Sequence, residues 1–207
     1  MKASSIVLIV VVVALVAMVL YSMSSNDDAD YTAQVEKERS EKDEFMRSGE
    51  GSPFEGMEDT FTGLKYFPPD PKFRVQADIE PIQGGKLVEL PTSDGKQKRY
   101  MEYAYATFRL DGALNKLVLL EIIDPGPFKG TLFLAFADQT SAIDTYGAGR
   151  YLDVKKVPGA TTLLLDFNKA YNPYCAYSDK FSCPFPPKEN VLGIAILAGE
   201  KTYKGEE

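Results

Sequence analysis

The chain has 207 residues, carries a net charge of −7 and contains no histidine. Its length predicts one domain with appendages, and an apolar fraction of 44% allows a sizeable core. The missing histidine excludes Ser-His-Asp and Cys-His catalysis and the commonest zinc and iron ligand sets. Because the chain is acidic and has no basic run, nucleic acid is not a predicted partner.

The first predicted element is a membrane anchor. Residues 6–20 are all Ile, Val, Leu, Ala or Met, and residues 21–23 extend the run. This is about the minimum length for a helix that crosses a bilayer. Lys2 precedes the run and three aspartates follow it, so the positive-inside bias predicts a cytoplasmic N-terminus and a domain outside the cytoplasm. The membrane is therefore a predicted partner through residues 6–23.

A cleavable signal peptide is the alternative for this segment. Ser22-Met23-Ser24 is a weak small-x-small cleavage site, and cleavage would give a secreted protein instead of a single-pass membrane protein.

The anchor is followed by a short helix. Residues 24–30 resemble a polar linker, and residues 31–47 predict a helix with Asp30 as its N-cap. Its apolar positions are few, so we expect a charged, mostly solvated spacer helix, with a coiled coil as the alternative. The resulting domain boundaries are an anchor at 1–23, a linker and helix at 24–48, a Pro/Gly-rich lead-in at 49–72 and a β-domain at 73–207.

Apolar and polar residues alternate with a period of two from Phe73 onward, which is typical of half-buried strands. Turn residues such as Gly84-Gly85, Asp111-Gly112 and Pro158-Gly159 separate the runs. The predicted strands are 73–79, 86–90, 99–110, 116–123, 131–137, 150–157, 161–167 and 191–198. No helical pattern lies between them, so the fold class is mainly β, an antiparallel barrel or sandwich of about eight strands.

The segment 146–190 concentrates glycine, proline, tyrosine, asparagine and both cysteines. Gly147-Ala148-Gly149 precedes a predicted strand and no helix, which favours a turn with positive φ over a phosphate-binding loop. Arg150 is predicted to form an ion pair, with Asp166 as its partner; the alternative is a grip for an anionic ligand.

We expect polar and aromatic residues of this segment to lie at the mouth of the barrel. The asparagines have a structural explanation as turn residues, and a functional one as the polar groups of a pocket walled by tyrosines. Acid–base catalysis and calcium binding by carboxylates are possible chemistries, but the spacing supports neither, and no catalytic residue, metal or cofactor is predicted. The candidate ligand-binding residues are Tyr146, Arg150, Asp166, Asn168, Tyr171, Asn172, Glu189 and Asn190.

Cys175 and Cys183 are eight residues apart in a proline-rich loop. An oxidising compartment favours a disulfide between them, which would contribute on the order of 2–3 kcal/mol. Buried free thiols and a reactive cysteine are the alternatives.

Several motifs resemble the family known as domain of unknown function 1684. They are FTGLKYFP at 61–68, TYGAGRYL at 145–152 and DFNKAYNP at 166–173, followed by both cysteines. The resemblance covers roughly residues 31–200 and implies a fold but no mechanism. Two positions depart from the family pattern: Val191 replaces an arginine, and Tyr174 replaces a proline. The missing arginine weakens any anion site in this loop.

Two functions follow as hypotheses. The leading one is a membrane-anchored extracytoplasmic module that binds a small ligand or an envelope partner. The other is a histidine-free hydrolase or lyase that uses Asp166 and Glu189, with Arg150 holding an anionic group.

Overall fold

The structure, a computed structural model, describes residues 3–203, and within them the side chains of residues 12, 13 and 27–203. A single helix, α1, runs from Ala3 to Ser48. The linker predicted at 24–30 is wrong, because those residues are helical and belong to α1. The predicted anchor at 6–23 falls almost entirely on side chains outside the described set. Within the described residues, no helix is both long enough and apolar enough to span a membrane.

The C-terminal part of α1 packs against the β-structure. Val35 and Met46 are 1% and 0% exposed, and Arg39 is also buried. The expectation of a mostly solvated spacer was therefore incomplete: these few side chains, at helical spacing, form one buried stripe. A stripe of three side chains is too narrow to stand out in the sequence, yet it fixes the helix on the domain.

The β-structure is one antiparallel sheet that curls into a half-barrel, so the mainly β, antiparallel prediction is confirmed, but the sheet is neither a closed barrel nor a sandwich. Its order is β6-β5-β4-β3-β1-β7, with β2 paired to β3. The strands are β1 Arg74–Pro81, β2 Leu87–Pro91, β3 Gln97–Leu110, β4 Ala113–Ile122, β5 Leu132–Phe136, β6 Arg150–Leu152 and β7 Thr162–Asp166.

Two predicted strands differ from the structure. The strand predicted at 150–157 is shorter in the structure, since β6 ends at Leu152; β6 pairs with β5, whereas the next strand, β7, pairs with β1. Residues 153–161 instead connect the two edges of the sheet. The strand predicted at 191–198 is absent, because the carbonyls of Ile196 and Ala198 accept hydrogen bonds from the Arg150 side chain.

The two faces of the sheet carry separate apolar clusters, as β4 illustrates. Leu117 and Leu119 belong to the main core inside the curl, and Val118 and Leu120 belong to a smaller cluster on the other face with Tyr100. All four leucine and valine side chains are at most 4% exposed. Burying each stabilises the fold by about 1.5–3 kcal/mol, so both faces are held firmly in place.

Candidate functional site

A groove with a volume of about 1040 Å³ lies between α1 and the sheet. One wall is a stripe of α1 side chains, in which Tyr31, Glu38, Lys42 and Phe45 recur at intervals of three, four and seven residues. The floor includes residues of the smaller apolar cluster. Ligand sites in proteins are typically concave, largely apolar and of this order of volume. The groove is therefore the candidate site.

A row of aromatic rings crosses the floor of the groove. Tyr100 stacks on Phe133 with ring centroids 4.9 Å apart. Phe133 contacts Tyr151 edge to face at 5.0 Å, and Tyr151 contacts Tyr171 in the same way at 6.0 Å. All four residues line the groove. They come from three strands and from the segment after β7, so the sheet order brings them together.

Two of the three hydroxyl groups of this row, those of Tyr151 and Tyr171, are hydrogen-bonded. Tyr151 donates to the carbonyl of Pro184 at 2.6 Å, and Tyr171 donates to Asp153 at 2.8 Å. Burial raises the pKa of Tyr151 and of Tyr171, so both hydroxyls stay protonated at physiological pH. The row therefore presents neutral aromatic surface.

The charge of the groove is opposite to that of the chain. Six basic and three acidic side chains line it, a net charge of +3 in a protein of net −7. The basic residues are Arg39, Lys42, Arg74, Lys98, Lys155 and Lys169, and the acidic residues are Glu38, Asp153 and Asp166. A local excess of positive charge attracts anions, and it acts most strongly where low-dielectric walls enclose it.

Half of these basic groups are already occupied. Arg39 donates to the carbonyls of Phe67 at 2.9 Å and Asn168 at 3.3 Å. Lys42 pairs with the fully buried carboxylate of Glu200 at 2.9 Å, and Lys169 pairs with Glu38 at 2.7 Å. These bonds fasten α1 to the domain.

The other three basic groups have no carboxylate partner among the described residues. Arg74 lies over the ring of Tyr31, 5.2 Å from its centroid. Lys98 donates to the carbonyl of Ser182 at 3.1 Å. Lys155 is exposed and forms no ion pair within residues 3–203. These groups are available to a bound anion.

Three of the eight predicted site residues line the groove, namely Asp166, Asn168 and Tyr171. Asp166 accepts a hydrogen bond from Tyr31 at 2.7 Å and one from the Asn168 side chain at 3.2 Å. Burial, followed by this bond to Asp166, raises the pKa of Tyr31. The Asp166 carboxylate therefore holds α1 and the following turn.

Arg150 is a structural residue, and its predicted partner was wrong. It is 1% exposed and pairs at 2.8 Å with Asp138, which the sequence analysis did not select, instead of Asp166. It also donates to the carbonyls of Ile196, Ala198 and Glu200. This geometry confirms the ion pair and contradicts the anion grip, since no solute reaches the guanidinium.

The remaining predicted residues lie outside the groove. Asn172 donates to Glu200 at 3.0 Å, and Asn190 links β4 and β5 through the backbone of Val118 and the carbonyl of Ala135. Both are buried, which fits their explanation as structural residues. Glu189 is exposed on a short 3-10 turn. Residues 3–203 contain no cluster of three His, Cys, Asp or Glu side chains that could hold a metal ion.

The two cysteines are free thiols, so the predicted disulfide is not formed in this structure. They are neighbours nevertheless: the backbone N–H of Cys175 donates to Sγ of Cys183 at 3.2 Å. A hydrogen bond from the Cys183 thiol lowers the pKa of Cys175 to about 6, and the same bond together with burial raises the pKa of Cys183. Tyr146 lies 4.0 Å from Cys175, and burial raises its pKa to about 12. Cys183 also lines the groove.

Sequence reasoning missed most of the groove. The helix wall, the aromatic row and the two unpaired lysines, Lys98 and Lys155, are far apart in the chain. A partial signal was present, because Lys98 and Tyr100 fall on one face of an alternating strand. Nothing local indicated that α1 would cover that region.

Comparisons place this architecture among known proteins. A protein-family model described as a protein of unknown function, DUF1684, matches residues 59–201. The solution NMR structure of an uncharacterised protein from Haloarcula marismortui is similar, with 40% sequence identity and a TM-score of 0.64. The alignment covers 86% of this chain and 97% of that chain. No match was found among curated proteins. The chain therefore belongs to the DUF1684 family.

Proposed function

We propose that the protein is a membrane-tethered binding module whose groove holds a small ligand with an apolar body and a negative charge. The observation that carries this proposal is the groove of about 1040 Å³, with an aromatic floor and a net charge of +3. A mostly apolar lining with a few charged groups is what binding sites for such ligands require.

The membrane tether rests on the sequence. The apolar run at 6–23, with Lys2 before it and aspartates after it, supports a single-pass anchor with the domain outside the cytoplasm. In this arrangement α1 joins the anchor to the binding domain.

The alternative, a hydrolase or lyase, has less support. It needs Asp166 and Glu189 in one solvent-reached pocket, with Arg150 exposed to the substrate. Asp166 lines the groove but is occupied by Tyr31 and Asn168, whereas Glu189 is not among the lining residues. Arg150 is buried against Asp138. A binding role therefore fits the arrangement better than acid–base chemistry.

The test is the binding of anilinonaphthalene sulfonate, an apolar anion whose fluorescence rises in apolar surroundings. The full chain is reconstituted in nanodiscs, and the signal of empty nanodiscs is subtracted. Leu164 lines the groove and is 49% exposed, so Leu164→Glu should keep the fold while adding a repelling charge. We expect the Kd to increase about tenfold, equivalent to about 1.4 kcal/mol.

Leu114→Glu is the matched control, because Leu114 is 64% exposed and lies outside the groove. Its Kd should stay within about twofold of the wild type, a change of roughly 0.4 kcal/mol. The proposal is refuted if the wild-type chain does not bind the probe, or if the two variants weaken binding equally.

A further inference from the structure

We infer that the occupant of the groove is a long-chain carboxylate taken from the membrane surface, with its head group at Lys98 and Lys155 and its chain along the aromatic row. This inference rests on the proposed function and names the ligand class for the same groove. Its support comes from the positions of the unpaired charges, the shape of the apolar floor and the course of α1.

The two lysines lie at the same end of the sheet, where β3 begins and β6 ends. Lys98 is near the start of β3, where the following Tyr100 pairs with Ile122 at the end of β4. β5 starts and β6 ends at this same end of the sheet, since Leu134 pairs with Leu152 in antiparallel register. Lys155 follows three residues after β6 ends. The antiparallel order therefore brings both side chains to one end of the groove.

Both lysines can accept an anion at little cost. Each is exposed, and neither pairs with a carboxylate among the described residues. Lys98 donates only to the carbonyl of Ser182, and Asp153, the acidic residue that lines this end of the groove, accepts a hydrogen bond from Tyr171. A head group placed here would replace solvent without breaking an existing ion pair.

The balance of charge at this end of the groove favours a singly charged head group. Lysine and arginine both bind carboxylates and phosphates, so the balance of charge decides here: Lys98 and Lys155 together with Asp153 carry a net charge of +1. The arginines that line the groove are elsewhere: Arg39 is buried against backbone carbonyls, and Arg74 lies over Tyr31. A carboxylate with a single negative charge matches this balance better than a doubly charged phosphate monoester does.

The rest of the groove suits an alkyl chain. The aromatic row provides a neutral floor, and Phe128 and Val157 at the lysine end are 67% and 51% exposed. Exposed apolar side chains at the mouth of a groove favour contact with an apolar ligand. The part of the chain next to the head group would cover them.

The course of α1 suggests the source of the ligand. The predicted anchor ends at residue 23, and the α1 wall of the groove begins at Tyr31 on the same continuous helix. Eight helical residues span about 12 Å, and the polar layer of one leaflet is roughly 5–8 Å thick. The groove would therefore begin just beyond the lipid head groups, so a membrane amphiphile has a short path into it.

The experiment is displacement of the naphthalene sulfonate probe by oleate and by oleyl alcohol, with the full chain in phosphatidylcholine nanodiscs. We expect oleate to displace the probe with an affinity at least about tenfold higher than the uncharged alcohol. The double variant Lys98→Gln/Lys155→Gln should lose about this factor for oleate and should bind the alcohol as the wild type does.

The double variant Lys86→Gln/Lys188→Gln is the control, because both lysines are exposed, lie outside the groove and form no ion pair within the described residues. It should bind oleate normally.

If the probe binds but oleate does not displace it, or oleate and the alcohol bind equally, the inference is refuted and the proposed function stands. Displacement by a lysophosphatidate but not by oleate also refutes it. If the probe itself does not bind, the proposed function fails as well.

Discussion

Replacing Arg150 with methionine should lower the free energy of unfolding by about 3–5 kcal/mol. The guanidinium donates to Asp138 at 2.8 Å, to the carbonyl of Ile196 at 3.0 Å and to that of Glu200 at 3.3 Å, and it also bonds to the carbonyl of Ala198. Methionine fills similar space but leaves a carboxylate that is 0% exposed without its cation. The carbonyls of the C-terminal segment also lose their donor.

The loss should stay within that range because Asp138 keeps other partners. Its Oδ1 accepts from the backbone N–H of Thr140 at 2.8 Å and from that of Ile196 at 3.3 Å. Removing both charges in Arg150→Met/Asp138→Leu should recover part of the stability, since no buried charge is then unpaired. Arg109→Met is the control: Arg109 is exposed, so its loss should cost less than about 0.5 kcal/mol.

Urea unfolding of the full chain in a mild detergent, followed by circular dichroism, measures these differences. The slope against urea should not change between variants, so the midpoints report stability directly. A loss below about 1 kcal/mol for Arg150→Met would refute the structural role of the pair. Unchanged stability combined with lost probe binding would instead support a ligand-binding role for Arg150.

Two further predictions concern the segment 146–190. Gly149 has a φ of +87°, and an added Cβ would lie 2.6 Å from the carbonyl oxygen of Phe136, so Gly149→Ala should destabilise by about 1–3 kcal/mol in the same urea assay. Gly159→Ala, at φ +75° with nothing within 4 Å, should cost only about 1 kcal/mol, and an equal cost for both would contradict the steric argument. Alkylation of Cys175 by iodoacetamide should rise through about pH 6 and level off above it, whereas Cys183→Ala should move the midpoint upward, because the hydrogen bond that lowers the pKa is lost. Midpoints near the ordinary thiol value of about 8.5 in both proteins would contradict this pairing.

The strands were predictable because alternation with a period of two is a local property. β3 and β4 carry buried residues on both faces and turn at Asp111-Gly112, and the sequence placed both of them. The positive φ of Gly149 was also foreseen from its neighbours. For these elements, a signal carried by adjacent residues was sufficient.

The pairing of distant residues could not be predicted. Arg150 pairs with Asp138 and not with Asp166 because β6 lies next to β5 in the sheet, and Asp138 follows two residues after β5 ends. The strand predicted at 191–198 does not form for a related reason: the buried side chain of Arg150 donates hydrogen bonds to the backbone carbonyls of this segment. The groove was missed because its wall and floor come from segments that meet only after α1 docks.

Because α1 supplies one wall of the groove, the proposed binding unit extends beyond the family match, which begins at residue 59. A fragment cut at that boundary would lose Lys42, the cation paired with Glu200, and Tyr31, the donor to Asp166. Such a fragment would display the aromatic row to solvent as an open apolar surface, which favours self-association. Expression and screening should therefore retain the helix, and a soluble version should begin before Tyr31.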